Sequence, residues 1–304
     1  MRRVIMQISD IHLGSHFDHD RGELIVREAH EIKPDLLVIA GDLVMRADFK
    51  EQWLQARDYI ERLPHPRLIV MGNHDVPQYN QIARYLWPTA RYQKYISPNL
   101  NPVWHDDQVV VIGVNTARSF TIQGGKLDHK QIAWLERTLQ SYPDQLCKVV
   151  VMHHHVVRPP GDREKTPIAN ANLAMAAMDR GNAELVLCGH IHTSFLGNTL
   201  EVAADLRAGT IIAQSGTATS TRGRRWMRGK NSFNVIEIED EVIRISQRMY
   251  LGEAKRFVPV SEHVFPRRSA GAYYLPRTER VLDISRDVPT ARLDDTPEVE
   301  LRNS

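Results

Sequence analysis

The chain has 304 residues, of which 42% are hydrophobic and 25% are charged, so it is long enough for one large domain or two smaller ones. This balance is typical of a globular protein and excludes a low-complexity chain. The formal net charge of +2 argues against a nucleic-acid binder and against a protein with an acidic surface.

The cysteines and the N-terminus indicate the compartment. Cys147 and Cys188 lie in or beside apolar runs and are interpreted as small buried residues, so no disulfide framework is expected. The first nine residues lack the apolar core and the cleavage site of a signal peptide. No run is long enough to span a bilayer. We therefore expect a cytoplasmic protein that has no membrane partner.

Seven short apolar runs predict the strands of the fold. They cover residues 4–8, 36–40, 68–71, 109–114, 149–152, 185–188 and 210–213. Helical patterns lie between several of these runs. Asp48 and Asp128 are each followed three residues later by Glu or Gln, as in a capping box, and Thr166 precedes a proline as at a helix start. Alternating strands and helices of this kind predict a layered α/β fold.

The pattern changes towards the end of the chain. Residues 233–238 and 242–249 alternate apolar and polar side chains, which predicts a two-stranded antiparallel hairpin. From residue 251 onward the chain contains five prolines and many charges, which predicts an extended, partly disordered tail. We therefore divide the chain into a folded domain, residues 1–250, and a Pro- and charge-rich C-terminal extension, residues 251–304.

Five of the predicted strands are followed at once by polar side chains that can bind metal ions. In chain order these are Asp10 and His12, then Asp42, then Asn73 with His74 and Asp75, then His153 to His155, and finally His190 and His192. Because the carboxyl ends of parallel strands meet at one edge of a sheet, these side chains can converge. The Asp-x-His and His-x-His spacings add to this, since alternate residues of an extended segment point the same way.

Each motif alone also suits an ordinary turn, a helix N-cap or a strand-end imidazole bonded to a carbonyl. Five such motifs in succession favour a metal site. Gly72 is expected to turn the backbone sharply where the third strand ends. Seven ligand side chains exceed what one small ion needs, but a carboxylate such as Asp42 can bridge two ions and give each ion four ligands. Nitrogen and oxygen ligands without thiolate suit Mn, Fe or Zn better than Ca.

In this order the motifs resemble those of the calcineurin-like metallophosphoesterases, over about two-thirds of the chain from Asp10 to His192. Residues 7–13, 125–135 and 152–154 further resemble the compact class III cyclic-nucleotide phosphodiesterase branch. The resemblance implies an α/β fold, namely a four-layer α/β/β/α sandwich with two central mixed sheets. It also makes the folded domain the catalytic one.

The resemblance further assigns the metal ligands and a substrate-facing histidine. It implies one ion on Asp10, His12, Asp42 and His192, and a second ion on Asp42, Asn73, His153 and His190. It favours the first imidazole of the triple-histidine run as the ligand. His74 would be the catalytic histidine near the substrate, with Asp75 behind it fixing its tautomer. Asn73, His74 and Arg222 are expected to bind substrate.

The implied reaction is hydrolysis of a phosphate ester. Two ions about 3.5–4 Å apart would hold a bridging hydroxide that attacks phosphorus in line. His74, as imidazolium, would stabilise the developing charge or protonate the leaving oxygen, a role commonly worth about 10²–10⁴ in rate. The branch resemblance favours small soluble phosphodiesters, such as cyclic nucleotides or glycerophosphodiesters. The alternatives are a phosphomonoesterase or protein phosphatase on the same core, a nuclease, or a non-catalytic metal-stabilised scaffold.

Two loops are candidates for substrate selection. One is a basic cluster around Trp226, which could line the pocket mouth or form an ordinary solvated loop. Its members are Arg222, Arg224, Arg225, Arg228 and Lys230. The other loop is residues 118–125, after the fourth strand. By family resemblance a homodimer is plausible, with the C-terminal extension crossing between subunits, while the near-neutral charge argues against nucleic acid as a partner.

Overall fold

The computed structural model describes residues 1–159, 166–203, 205–223, 229–268 and 277–280, the last of these by its backbone alone. Within them two β-sheets lie face to face, and α-helices cover the outer face of each sheet. The predicted four-layer α/β/β/α sandwich is therefore confirmed. No helix in these ranges is both long and apolar enough to cross a membrane.

In the described chain, strands and helices are interspersed up to β7, and the later elements are mostly strands. The strands are β1 (Arg3–Ile8), β2 (Leu36–Ala40), β3 (Arg67–Val70), β4 (Val103–His105), β5 (Val109–Gly113), β6 (Cys147–Val151), β7 (Leu185–Cys188), β8 (Phe195–Asn198), β9 (Ile211–Gln214), β10 (Ser232–Ile238), β11 (Val242–Leu251), β12 (Arg256–Pro266) and β13 (Arg277–Arg280). The helices are α1 (His19–Ile32), α2 (Lys50–Glu61), α3 (Gln81–Leu86), α4 (Ala90–Tyr95), α5 (His129–Gln140) and α6 (Ala171–Arg180). Short 3-10 turns cover Asn73–Asp75 and Thr199–Glu201.

Both sheets mix parallel and antiparallel pairs. The first has the strand order β13-β12-β11-β10-β1-β2-β3, in which β1, β2 and β3 are parallel and the strands from β10 onward pair in antiparallel fashion. The second has the order β4-β5-β6-β7-β9-β8, with four parallel strands between two antiparallel edge strands. The parallel strands of each sheet position the loops that follow them for the site described below.

Three apolar cores fill the spaces between the four layers. Strand β2 illustrates the arrangement, because Val38 points into the core between the sheets while Leu37 points towards helices α1 and α2. The central core also holds Cys147, and Cys188 lies in the core beneath α5 and α6. Both cysteines are buried free thiols, as predicted. Each fully buried apolar side chain stabilises the fold by about 1.5–3 kcal/mol, so these cores hold the strand ends in place.

The predicted strands agree closely with the structure. All seven are present, with ends within two residues of the predicted ones, and the predicted hairpin forms β10 and β11. Asp128 caps α5 as predicted, because its carboxylate accepts a hydrogen bond from the Gln131 backbone N–H at 2.9 Å. Apolar periodicity and a capping box are local signals, which is why they could be recognised without the fold.

Two helix starts were predicted wrongly. The Asp48 carboxylate accepts backbone N–H groups from residues 78–80, and α2 begins after Phe49 instead. A carboxylate can serve a helix or a neighbouring loop, and only the tertiary structure decides between them. Helix α6 begins at Ala171, later than the expected start at Thr166.

The C-terminal part contributes more to the sheet than predicted. An extended tail was expected from residue 251, but Arg256–Pro266 forms β12, which pairs along β11. Its Phe265 is buried in the central core, and Pro259 lies at the register shift of the pair, where a sheet tolerates proline. The boundary after residue 250 stays a prediction, and most of the remaining extension lies outside the described residues.

Candidate functional site

The carboxyl ends of five strands meet between the two sheets and bring together the side chains that the sequence singled out. Asp10 and His12 follow β1, Asp42 follows β2, Asn73 to Asp75 form the turn after β3, His153 follows β6, and His190 and His192 follow β7. All of them are buried, and even the most accessible, His74, is only 9% exposed. Strands of both sheets therefore contribute to one site.

The backbone at these strand ends is left-handed at five positions. Asp10, His12, Asp42, His190 and His192 have φ between 53° and 77°, and they are five of the nine non-glycine residues with positive φ in the described chain. Asp, Asn and His tolerate this conformation better than most residues, at a cost of about 1–3 kcal/mol each. The chain accepts this local strain where it aims polar side chains inward, which indicates a functional site.

Two glycines are required here because side chains approach the backbone closely. A Cβ at Gly72 would lie 2.1 Å from Asp42 Oδ1, and a Cβ at Gly189 would lie 1.8 Å from Ser9 Oγ. The expectation that Gly72 is needed to turn the chain is wrong, since its φ of −106° is open to any residue. It is the room taken by Asp42 that requires glycine at this position.

One set of four side chains, which we call the first cluster, joins the ends of β1, β2 and β7. It consists of Asp10, His12, Asp42 and His192, whose candidate ligand atoms lie within 4.8 Å of one another. His192 Nε2 lies 3.1 Å from His12 Nε2 and 3.2 Å from Asp10 Oδ1. This is the set that the family resemblance implied for one ion.

The second cluster joins the ends of β2, β3, β6 and β7. It consists of Asp42, Asn73, His153 and His190. His153 Nε2 lies 3.3 Å from Asp42 Oδ2 and 3.2 Å from Asn73 Oδ1. His190 Nδ1 lies 3.3 Å from the same His153 nitrogen. Asp42 Oδ2 is also 3.7 Å from His12 Nε2, so one carboxylate oxygen faces both clusters.

The other two imidazoles of the triple-histidine run lie beside the second cluster. His154 has a ligand atom within 4.8 Å of those of His153 and His190, while its Nδ1 is 2.7 Å from Thr116 Oγ1. The His155 ring stacks on the His190 ring, with centroids 5.9 Å apart. All three histidines are therefore near the site, and their proximity alone does not choose among them.

Hydrogen bonds outside the clusters fix which nitrogen of two imidazoles faces the cluster. His153 Nδ1 donates to the Ala40 carbonyl at 2.7 Å, and His192 Nδ1 donates to the Arg222 carbonyl at 3.1 Å. In each ring Nε2 is left to face the cluster. Asp10 Oδ1 is buried without a hydrogen-bond partner among the described residues. Converging nitrogen and oxygen lone pairs repel one another, and divalent cations fit between them.

Burial and neighbouring charges shift the pKa values of these groups in different directions. Burial alone would raise the pKa of Asp10, but His192 beside it lowers this pKa to about 2. Burial alone would lower the pKa of His153, but Asp42 raises it to about 9. Burial holds the pKa of His190 well below its ordinary value. At neutral pH Asp10 is therefore ionised and His190 is a neutral ring, whereas the metal-free His153 is an imidazolium with a proton on each ring nitrogen.

His74 has different partners from those expected. Its Nδ1 donates to the Met45 carbonyl at 2.9 Å, and its Nε2 accepts a hydrogen bond from Arg222 Nη1 at 2.9 Å. Burial lowers the pKa of His74, and the guanidinium of Arg222 adds to this effect. A neutral ring suits both contacts, since Nδ1 donates and Nε2 accepts, and Arg222 brings a positive charge to the pocket. The imidazolium form of His74 stays a prediction.

The expected contact between Asp75 and the His74 ring is wrong. Asp75 Oδ2 accepts the Gly72 backbone N–H at 2.8 Å, and Oδ1 accepts those of Leu43 and Val44 at 2.9 and 3.2 Å. Burial raises the pKa of Asp75 to about 7. The carboxyl group thus ties the end of β3 to the end of β2. We regard Asp75 as a residue that positions the turn.

The pocket beside the clusters contains both predicted ligands and residues from the selection loops. It is lined by Asp42, Asn73, His74, Gln123, His190, His192 and Arg222. Arg222 therefore lies where a substrate contact was predicted. The other arginines of the basic cluster and Trp226 lie outside the described residues, and Lys230 is exposed. Gln123 comes from the predicted selection loop at residues 118–125.

Sequence reasoning missed the groups that hold the site residues in place. Ala40 and Met45 act through their backbone carbonyls, and Ser9 donates from Oγ to Asp10 Oδ2 at 2.6 Å. A backbone carbonyl carries no sequence signal, so the first two could not be found in this way. Ser9 directly precedes Asp10, and a hydroxyl beside a carboxylate is a donor that could have been noticed.

Comparison with known proteins identifies the family. The pattern of the family described as Calcineurin-like phosphoesterase matches residues 3–194, the part of the chain that contains both clusters. The chain therefore belongs to the calcineurin-like phosphoesterases. Its predicted enzyme class, a metal-dependent phosphoric ester hydrolase, is confirmed.

Curated relatives are similar at low identity. The chain is 24% identical over 205 residues to the probable glycerophosphodiester phosphodiesterase GpdQ of Arcobacter nitrofigilis. This match covers 62% of this chain and 71% of the relative. It is 27% identical over 163 residues to the glycerophosphodiester phosphodiesterase GpdQ of Enterobacter lignolyticus, a match that covers 53% of this chain and 56% of the relative. It is 25% identical over 199 residues to the 3′,5′-cyclic adenosine monophosphate phosphodiesterase CpdA of Escherichia coli, a match that covers 62% of this chain and 69% of the relative. The matches thus span 56–71% of the lengths of these relatives.

Solved structures share the fold. Purple acid phosphatase PPD1 from yellow lupin has a TM-score of 0.65 at 12% identity, over 97% of this chain and 57% of that one. PhoD has a TM-score of 0.64 at 11% identity, over 93% and 73%. A dimetal phosphatase from Danio rerio has a TM-score of 0.60 at 11% identity, over 81% and 95%. At these identities the likeness concerns the fold alone.

Proposed function

We propose that the protein is a dinuclear metal-dependent phosphodiesterase that hydrolyses small phosphodiesters. The observation that carries this proposal is the position of Asp42. Its Oδ2 faces His12 of the first cluster at 3.7 Å and His153 of the second cluster at 3.3 Å. A carboxylate shared between two ligand sets suits a two-metal site for phosphoester hydrolysis. Relatives named as phosphodiesterases support a diester as the substrate.

Each cluster would hold one ion through four protein side chains. When bound, two such ions activate water and polarise a phosphoryl oxygen. Nitrogen and oxygen ligands without thiolate favour Mn, Fe or Zn. His153 is the proposed ligand of its run because its Nε2 faces both Asp42 and Asn73 of the second cluster.

Arg222 would bind the phosphate group. Its guanidinium lies at the pocket and donates to His74 Nε2, so the ring fixes the direction of the guanidinium. Guanidinium groups bind phosphate oxygens through paired hydrogen bonds. His74 would orient Arg222 rather than donate a proton, because its own N–H is bonded to Met45. One guanidinium suits the single charge of a diester, whereas a monoester carries about two charges.

The remaining properties stay predictions. Cyclic nucleotides and glycerophosphodiesters are the candidate substrates, since relatives named for each kind match this chain. A cytoplasmic location, a homodimer, and the lack of a nucleic-acid or membrane partner are expectations from the sequence. A phosphomonoesterase on the same core is the second candidate function, because the shared position of Asp42 between two ligand sets suits either kind of ester.

A substrate panel on Mn-reconstituted protein tests the proposal. The panel contains bis-p-nitrophenyl phosphate, p-nitrophenyl phosphate, 3′,5′- and 2′,3′-cyclic nucleotides, and glycerophosphodiesters. We expect kcat/KM for the diester to exceed that for the monoester by about tenfold or more, a preference of about 1.4 kcal/mol. A monoester preference would favour the second candidate. A metal-loaded protein without turnover on any member would favour the non-catalytic scaffold.

The role of Arg222 is tested by Arg222→Ala. We expect a loss of about 10²–10³ in kcat/KM for the diester, because a preorganised charge at the phosphate is removed. Arg57→Ala is the matched control, since its guanidinium is about half exposed and pairs with Asp58 on the surface. Full activity of Arg222→Ala with unchanged metal content would show that another group binds the phosphate.

A further inference from the structure

Apolar side chains are unusually exposed next to the pocket. Tyr85, Leu86, Trp87, Phe120 and Ile122, which we call the apolar ridge, are between 52% and 86% exposed. Single exposed apolar residues are ordinary on a protein surface, but a group of large ones in one place marks a binding surface. Nothing in the catalytic scheme above uses these five side chains.

The apolar ridge is built on a rigid support. It combines the end of helix α3 and the adjoining residue with the loop at residues 118–125. Arg84 is only 3% exposed, and its guanidinium donates to the carbonyls of Pro77, Ser119 and Thr121, each at 2.6 Å. A buried guanidinium costs free energy unless it is hydrogen-bonded, so this side chain is committed to joining helix and loop. The ridge is therefore held in a defined shape.

Contacts connect the apolar ridge to the pocket. The Ile122 carbonyl accepts a hydrogen bond from Asn73 Nδ2 of the second cluster at 3.2 Å, and the next residue, Gln123, lines the pocket itself. Further out, the Phe120 ring contacts the Tyr85 ring, with centroids 5.5 Å apart. The loop thus runs from the second cluster, at Ile122, outward to the ring pair of Phe120 and Tyr85.

The two chain segments that form the apolar ridge contain no acidic residues. Neither residues 76–105 nor residues 108–127 contain an Asp or a Glu, whereas both contain Arg and Lys. The two segments therefore add positive and no negative charge of their own, and the Asp48 carboxylate that reaches residues 78–80 is bonded to their backbone N–H groups. Exposed Trp, Tyr and Phe offer large contact areas at a low cost in conformational entropy.

We propose that the apolar ridge binds an apolar substituent of the substrate, so that the enzyme acts on amphiphilic phosphodiesters, which carry an alkyl, acyl or aryl chain. This inference rests on the phosphodiesterase function proposed above. With the phosphate in the pocket, the substituent lies over Ile122 and Phe120 and reaches the side chains at the end of α3. The continuity between ridge and pocket favours this occupant over a second copy of the chain or a lipid bilayer.

The test uses alkyl p-nitrophenyl phosphates from methyl to hexyl, on full-length Mn-reconstituted protein and below the critical micelle concentration. The leaving group and charge are the same throughout, so only the chain length changes. If one side of the alkyl chain is buried, the gain in free energy per methylene is roughly half that of complete burial. We therefore expect kcat/KM to rise about twofold per methylene, or about 30-fold from methyl to hexyl. The rise should appear mainly as a lower KM.

Phe120→Ser and Trp87→Ser should reduce the hexyl-to-methyl ratio of kcat/KM towards one. Leu173→Ser is the matched control, because Leu173 is an exposed apolar residue on α6 and its loss should leave the ratio unchanged. Phe120 is 86% exposed, so its replacement should leave the fold intact, which circular dichroism verifies.

Several outcomes overturn the inference. Hydrolysis of the methyl ester with no dependence on chain length overturns it while leaving the proposed function standing. Lack of hydrolysis of every ester means that the proposed function itself fails. If the chain length has no effect and Phe120→Ser converts a dimer into a monomer in light scattering, the ridge is a subunit interface. If the rise occurs only above the critical micelle concentration, or with phosphatidylcholine vesicles, the ridge contacts a lipid surface instead.

Discussion

The two clusters share Asp42 but differ in charge. The first cluster has two carboxylates and two imidazoles, whereas the second has the shared carboxylate, the amide of Asn73 and two imidazoles. A divalent ion gains more Coulomb energy from the more anionic set. The fold thus builds two unequal sites around one bridging group.

The clusters also differ in how ready they are to bind a cation. In the first, His192 lowers the pKa of Asp10 to about 2, so this carboxylate is ionised at neutral pH. In the second, Asp42 raises the pKa of His153 to about 9, so a proton occupies a position that a cation would take. We therefore expect the first cluster to fill first when metal is limiting.

The largest effect is expected for Asp42→Asn, because this change removes a charge from both clusters at once. Both ions should bind more weakly, and kcat/KM should fall by about 10³-fold or more, beyond the usual loss of about 10²–10³ for one electrostatic group. Metal content after desalting, measured by mass spectrometry, and diester hydrolysis check this. Asp58→Asn, at an exposed carboxylate, is the control. Retention of two tightly bound ions would show that Asp42 does not bridge.

Asn73→Ala should separate the clusters. It removes an oxygen that lies 3.2 Å from His153 Nε2, and it leaves the first cluster untouched. We expect one bound ion instead of two and a loss of about 10²-fold in activity, comparable with the roughly 10–100-fold effects of groups that support a metal site. His12→Ala is the reciprocal variant, and it should weaken the first cluster. Equal loss of both ions in Asn73→Ala would contradict the asymmetry.

Much of this arrangement was visible in the sequence because its signals are local. The strands are short apolar runs, and Asp10, Asp42, His153 and His190 follow them directly. The positive φ values at most of these positions suit Asp and His, so residue type and backbone geometry agree. The seven predicted ligands therefore converge as expected, although the ions that they would hold stay a proposal.

What the sequence could not predict depends on contacts between distant segments. Arg222 meets His74 across 148 residues, and this contact suits a neutral ring, whereas the sequence predicts an imidazolium. Asp75 bonds the amides of Leu43 and Val44 rather than the neighbouring imidazole. Both Asp75 arrangements satisfy a buried carboxylate, and only the packing of β2 beside β3 decides between them.

Metal binding to the second cluster should depend on pH more than binding to the first. The pKa of His153 is raised to about 9 in the metal-free chain, so below that pH an incoming ion must displace a proton. The apparent affinity of the second ion should rise by up to about tenfold per pH unit between pH 7 and 9, and level off above that range. Calorimetry of Mn binding in buffers of different ionisation enthalpy measures the released proton. The His153→Gln variant should lose this proton release, and an equal pH dependence for both ions would contradict the assignment.

Asp75→Asn should give the smallest effect, and it should be confined to the second cluster. The pKa of Asp75 is raised to about 7, so replacing its charge costs little at neutral pH. The Asp75 oxygens, however, accept three backbone N–H groups. The amide nitrogen introduced by the substitution would replace one of these oxygens, so its N–H groups would face either the N–H of Gly72 or those of Leu43 and Val44. One lost buried hydrogen bond costs about 1–3 kcal/mol, which lowers Tm by about 2–5 °C in a chain of this size. Because Asp75 ties Asn73 to the end of β2, the second ion should bind up to about tenfold more weakly, while binding of the first ion is unaffected. Thermal unfolding measures the change in Tm, and metal titration measures the affinity of each ion. A normal Tm with a loss of activity as large as that of Asp42→Asn would instead place Asp75 among the groups that act on the substrate.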